Sequence, residues 1–138
     1  KLFIKNYGTF VTHSKCQNRL FCTNFYKMKY QIAQNSQQIK QIINKEDAVM
    51  LLFSDGACNV GDALAPKLQQ LVSEEFPQLT MVEINVQVLP EVKGEYNVFV
   101  IPTVLVYFAG KETIRHARFI NIEQLKKEIS RVYSIMFE

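Results

Sequence analysis

Ala48-Val49-Met50-Leu51-Leu52-Phe53-Ser54-Asp55-Gly56-Ala57-Cys58-Asn59-Val60-Gly61 is the stretch on which the reading of this chain turns. Six consecutive apolar residues, Ala48 to Phe53, have the length and composition of a strand buried on both faces. Asp55-Gly56 interrupts the run as a turn. Val60, Leu64, Leu68, Leu71 and Val72 then recur at helical spacing, which predicts a helix from about Asn59 to Phe76. Cys58 therefore stands at a strand-to-helix corner. Unpaired backbone N–H groups at a helix start favour a thiolate. Asp55 and Asp62 oppose that effect, and no Lys, Arg or His occurs between Glu46 and Pro66. Two-cysteine redox chemistry needs a second thiol three residues on to resolve a mixed disulfide. Gly61 occupies that place.

Working outward, Lys29 to Ala33 reads as a short strand, and Ser36 as the cap of a helix with Ile39, Ile42 and Ile43 on one face. Pro66 falls inside the second helix and predicts a kink near Asp62 to Pro66. Thr80 to Val86 reads as a strand, and Pro90 to Tyr96 as a short helix or turn. Thr103 to Phe108 and Glu112 to Phe119 form a hairpin about the turn Ala109-Gly110-Lys111. Asn121 caps a last helix, with Gln124 placed for a capping box and Ile122, Leu125, Ile129, Val132 and Met136 as its apolar side. The order from Met28 is βαβαβαββα, an α/β chain with a mixed central sheet and helices on both faces.

The 138 residues with 48% hydrophobic content suffice for one domain with a core. The apolar runs are too short or too interrupted for a membrane span. Residues 1–27 carry Lys1, Lys5, Lys15, Arg19 and Lys27 and no acid, while all 13 acids lie at Glu46 or later. The pI of 8.8 thus belongs to this basic extension. Residues 28–138 hold 11 bases against those 13 acids, which disfavours a nucleic-acid partner. The extension reads as a tag or upstream remnant, a flexible arm, or a transit-like segment. Cys16, Cys22 and Cys58 are too few for a disulfide scaffold, and no Cys-x-x-Cys spacing supports a metal site. A reducing, cytoplasmic setting and a monomer are expected, or an organelle matrix if residues 1–27 direct transport.

Three landmarks in register carry a resemblance to the thioredoxin family. Cys58 corresponds to the attacking cysteine; Pro66, eight residues later, to the proline inside the active-site helix; and Ile101-Pro102-Thr103, with Pro102 44 residues after Cys58, to the cis-proline loop. Pro90, Tyr96 and the Gly110-Lys111 turn are lesser matches. The resemblance covers about Met28 to Glu138 and implies a thioredoxin-like fold. It further implies that Val100, Ile101, Pro102 and Thr103 border a groove for an extended substrate segment beside the active-site turn Ala57, Cys58, Asn59, Val60 and Gly61.

This sequence departs from the family pattern at three places. Gly61 replaces the resolving cysteine, Ala57 stands where many members have tryptophan, and Leu52 replaces a buried aspartate that assists proton transfer. Two functions follow from the resemblance. One is monothiol exchange, in which Cys58 forms a mixed disulfide with a protein or with glutathione, without a cofactor. The other is a binding module that keeps the fold and groove without turnover.

Overall fold

The computed structural model describes residues 2–4, 10–12, 29–56 and 59–138, with side chains described over 29–56 and 63–138. Near the start, β1 (Leu2–Ile4) and β2 (Phe10–Thr12) pair antiparallel as a sheet of their own. The sequence shows no alternating order in this region. Strands of three residues are too short to display one.

The main sheet has the order β3-β5-β4-β6-β7. Its strands are β3 (Tyr30–Ile32), β4 (Ala48–Ser54), β5 (Thr80–Asn85), β6 (Thr103–Phe108) and β7 (Lys111–Ala117). β5 runs parallel to both β3 and β4, β6 antiparallel to β4, and β7 antiparallel to β6. Helices α1 (Ser36–Lys45), α2 (Asn59–Glu75), α3 (Glu91–Glu95) and α4 (Ile122–Phe137) fall between and after the strands in the order that the sequence predicts.

The apolar run 48–53 forms β4 at the centre of the sheet, and every residue of that strand is buried. Because side chains alternate across a strand, Ala48, Met50 and Leu52 meet α2 and α4 on one face. Val49, Leu51 and Phe53 meet α1 and α3 on the other. Both faces are therefore dry, which is why the run is continuously apolar rather than alternating.

Two caps differ from the sequence reading. The cap of α1 is Asn35, whose side chain accepts from the Gln38 N–H at 2.7 Å, and Ser36 is the first helical residue. Asn121 caps α4 by accepting from the Gln124 N–H at 3.1 Å. The Gln124 side chain, however, donates along the helix to Glu128 at 2.9 Å, so only half of the capping box forms.

The stripe of α4 is also shifted. Leu125, Ile129 and Tyr133 are buried, while Met136 is exposed. Tyr133 reaches the core because its ring packs edge-on against Phe76 and tilted against Phe137 and its hydroxyl finds a donor in the Gln78 N–H. Helix α2 continues through Pro66, which does not end it. The proline lacks an N–H, so it gives the Asp62 carbonyl no intrahelical donor.

Candidate functional site

The candidate residues belong to two segments of the chain, one after the end of β4 and one before the start of β6. β4 ends at Ser54, four residues before Cys58 in the chain. β6 starts at Thr103, directly after the Ile101-Pro102 loop. The antiparallel ladder pairs Phe53 with Thr103, so the exit of β4 and the entry of β6 are neighbours. Ala57 and Cys58 themselves lie outside the described residues. Asn59, Val60 and Gly61 form the first turn of α2.

The approach to the turn is tightly fixed. The Ser54 carbonyl accepts from the Val86 N–H at 2.8 Å, which ties the end of β4 to the residue after β5. Gly56 follows with φ +69°, in the left-handed region that favours glycine. A Cβ there would stand 2.6 Å from Asn85 Nδ2. Asn85 is itself held, its Oδ1 accepting from the Gln87 N–H at 2.8 Å.

The opposite segment is equally constrained. The Ile101–Pro102 peptide bond is cis. The Thr103 hydroxyl donates to the Val100 carbonyl at 2.5 Å, closing the loop on itself. The Pro102 carbonyl accepts from the Arg118 N–H at 2.9 Å, which places the end of β7 beside the loop. Val100 and Ile101 are half-buried, and Pro102 and Thr103 are buried.

Arg115 of β7 anchors the chain that enters this loop. Its guanidinium donates to the carbonyls of Tyr96 at 2.9 Å and Asn97 at 3.1 Å while binding both carboxylate oxygens of Glu112. The planar fork of arginine makes these contacts at once, which a lysine ammonium does not.

Two large exposed apolar side chains that sequence reasoning passed over lie close in the chain to these segments. Phe99 is 84% exposed and Phe119 is 85% exposed. One precedes the Val100 to Thr103 loop, and the other follows Arg118. Their signal in the sequence is an aromatic residue beside a loop proline and another just past a strand end, which by itself distinguishes neither from a core residue. A third missed residue is Glu83, whose carboxylate accepts from the Tyr30 hydroxyl at 2.6 Å.

Leu52, where the resemblance implies an aspartate in many relatives, is fully buried among Met50, Leu68 and Val104. Among the described residues no three His, Cys, Asp or Glu side chains gather as a metal site. No described helix is long and apolar enough to cross a membrane.

Comparison with known proteins agrees with this architecture. The family model described as Thioredoxin matches residues 30–131. The thioredoxin-like protein YdfQ of Bacillus subtilis is 33% identical over 97 residues, covering 70% of this chain and 86% of that protein. Thioredoxin-2 of Pyricularia oryzae is 30% identical over 101 residues, covering 73% of this chain and 58% of that protein. Among solved structures, Plasmodium falciparum thioredoxin superposes with a TM-score of 0.66 at 21% identity, over 73% of this chain and 97% of that one. Mitochondrial thioredoxin 3 from Saccharomyces cerevisiae, in its oxidised form, gives 0.65 at 21% identity, over 74% and 94%.

Proposed function

The chain belongs to the thioredoxin family, and from that membership we propose that it carries out thiol–disulfide exchange through a single thiol, Cys58. Its partner is a protein disulfide or glutathione, presented along Val100, Ile101, Pro102 and Thr103. The observation that supports this reading most is the Phe53–Thr103 pairing, which sets the exit of β4, toward Cys58, beside the Pro102 loop.

In such an exchange the Cys58 thiolate attacks one sulfur of the partner's disulfide. A Cys58–partner S–S bond forms, the original S–S bond breaks, and the second partner sulfur leaves as a thiolate. Gly61 supplies no thiol to clear the adduct. An outside thiolate must do so, which limits turnover.

A second reading is a binding module that engages extended segments without redox turnover. Leu52 itself supports it, since it puts an apolar side chain rather than a carboxylate at that position of β4.

Oxidised glutathione separates the two. In a Cys16→Ser/Cys22→Ser background, intact-mass measurement is expected to show one glutathione adduct, lost in Cys58→Ser. An insulin reduction assay is expected to be silent for that background protein and active for Gly61→Cys in the same background. An adduct that persists in Cys58→Ser removes Cys58 from the chemistry. A protein that forms no adduct while its Gly61→Cys variant stays silent leaves the binding reading standing.

A further inference from the structure

Arg115 and Arg118 stand close together in the chain, yet only one of them is satisfied within the fold. The Arg115 guanidinium is taken up by Glu112 and by the carbonyls of Tyr96 and Asn97. The ion pairs among the described residues use Lys29, Lys40, Arg115, His116 and Lys126 and leave Arg118 out. Arg118 is exposed, and its guanidinium has no hydrogen bond among the described residues.

The backbone holds this free cation at the Pro102 loop. The Arg118 N–H donates to the Pro102 carbonyl at 2.9 Å, one step beyond the Thr103–Ala117 pair of the β6–β7 ladder. Its φ is +68°, in the left-handed region where glycine is the ordinary occupant. The Phe119 N–H donates back to the Ala117 carbonyl at 2.9 Å, so Arg118 is the centre of a tight turn of the strained kind. Strain retained at such a position points to a use for the side chain. Phe119, next in the chain, is exposed, as is Phe99 just before the half-buried Val100 and Ile101.

We propose that Arg118 is a specificity-determining residue that selects extended protein segments carrying a carboxylate beside an apolar side chain. This rests on the reading that Val100, Ile101, Pro102 and Thr103 receive the partner. Main-chain pairing of an extended segment is indifferent to sequence, so discrimination falls to the side chains around it. The guanidinium offers parallel N–H donors to a carboxylate, and its charge rejects basic segments. The occupant is a protein segment rather than a small anion, because the exposed rings of Phe99 and Phe119 offer apolar surface that a small anion leaves uncovered.

Titration of the full-length, reduced, isotope-labelled protein with synthetic peptides, followed by NMR, tests this. Three peptides share one sequence around a central leucine and differ only in carrying aspartates, asparagines or lysines beside it. The aspartate peptide is expected to shift the amide signals of Val100, Ile101, Thr103, Arg118 and Phe119. It binds about two- to fivefold more tightly than the asparagine peptide. The lysine peptide is the weakest, and the ranking flattens at high salt. Arg118→Gln abolishes the ranking, and Arg118→Lys, which keeps the charge, retains part of it. Lys45→Gln, at the end of α1 that leads to the far end of β4, leaves it intact.

Arg118→Gly separates selection from folding. Glycine suits the backbone there, so this variant unfolds in urea no more easily than the parent while losing the ranking. A ranking that persists in Arg118→Gln, an equal loss in Lys45→Gln, or shifts that miss residues 100–103 overturn the proposal. So does the absence of binding by every peptide, or reduced glutathione binding as tightly as the aspartate peptide. A clear aspartate preference in a protein that forms no glutathione adduct at Cys58 defeats the exchange reading alone. Adduct formation without any preference defeats this inference alone.

Discussion

Gly56 shows how one residue sets the geometry of the turn before Cys58. A side chain there meets two penalties, a left-handed backbone and a Cβ 2.6 Å from Asn85 Nδ2. Gly56→Ala is expected to destabilise the protein by about 1–3 kcal/mol, measured by urea unfolding. Asn85→Ala in the same chain should recover the part of that loss due to contact and leave the part due to backbone conformation. If Gly56→Ala unfolds like the parent, the turn is looser than its dihedral angles imply. The sequence announces Gly56 through the Asp-Gly pair. It does not announce Glu83, because an acid within the strand pattern Thr80 to Asn85 reads as an outward-facing residue. Only the parallel register with β4, a long-range pairing, turns it toward α2.

Among elements, the junction of β7 and α4 is where a pH dependence is expected. His116 Nε2 lies 2.8 Å from Glu128 Oε2, and Gln124 donates to the other oxygen. These hydrogen bonds, that of His116 foremost, hold the Glu128 carboxyl below the ordinary carboxylate range. A folded pKa lower than the unfolded one contributes stability above the unfolded value, near ~4.3, and that contribution is lost as pH falls through the folded value. Glu128→Gln is therefore expected to lower the melting temperature near pH 6 and to differ less from the parent near pH 3. Equal differences at both pH values would show that the carboxylate charge plays no part.

At this scale the sequence was most legible where periodicity is long, as in β4, α2 and α4. It was least legible at the ends. Asn35 outcompetes Ser36 as the cap of α1 because the chain enters the helix one residue earlier, and both residue types suit the position. In α4, Tyr133 takes the buried place assigned to Met136 because an aromatic shelf, Phe76 and Phe137, awaits it from elsewhere in the fold.

For the whole molecule, the two core layers share β4 as their common wall. Leu51 faces one and Leu52 the other, both with no exposed surface. Leu51→Ala and Leu52→Ala are each expected to cost about 2–5 kcal/mol and to preserve a single unfolding transition, because neither layer survives without the strand. Biphasic denaturation of either variant by circular dichroism and fluorescence would show that the layers separate. Alternating strands and helices made this plan readable from the chain. That the exit of β4 and the entry of β6 lie side by side was implied by the family resemblance and not by any local signal, since it follows from the β4–β6 ladder.

β7 forms one outer margin of the main sheet, and Lys111, Glu112 and Arg115 are exposed along it. A foreign strand docking on that border would have to strip water from these charged heads and disturb the Glu112–Arg115 pairing. The sheet is thereby defended on this flank against fibril-like growth, however apolar its interior strands are.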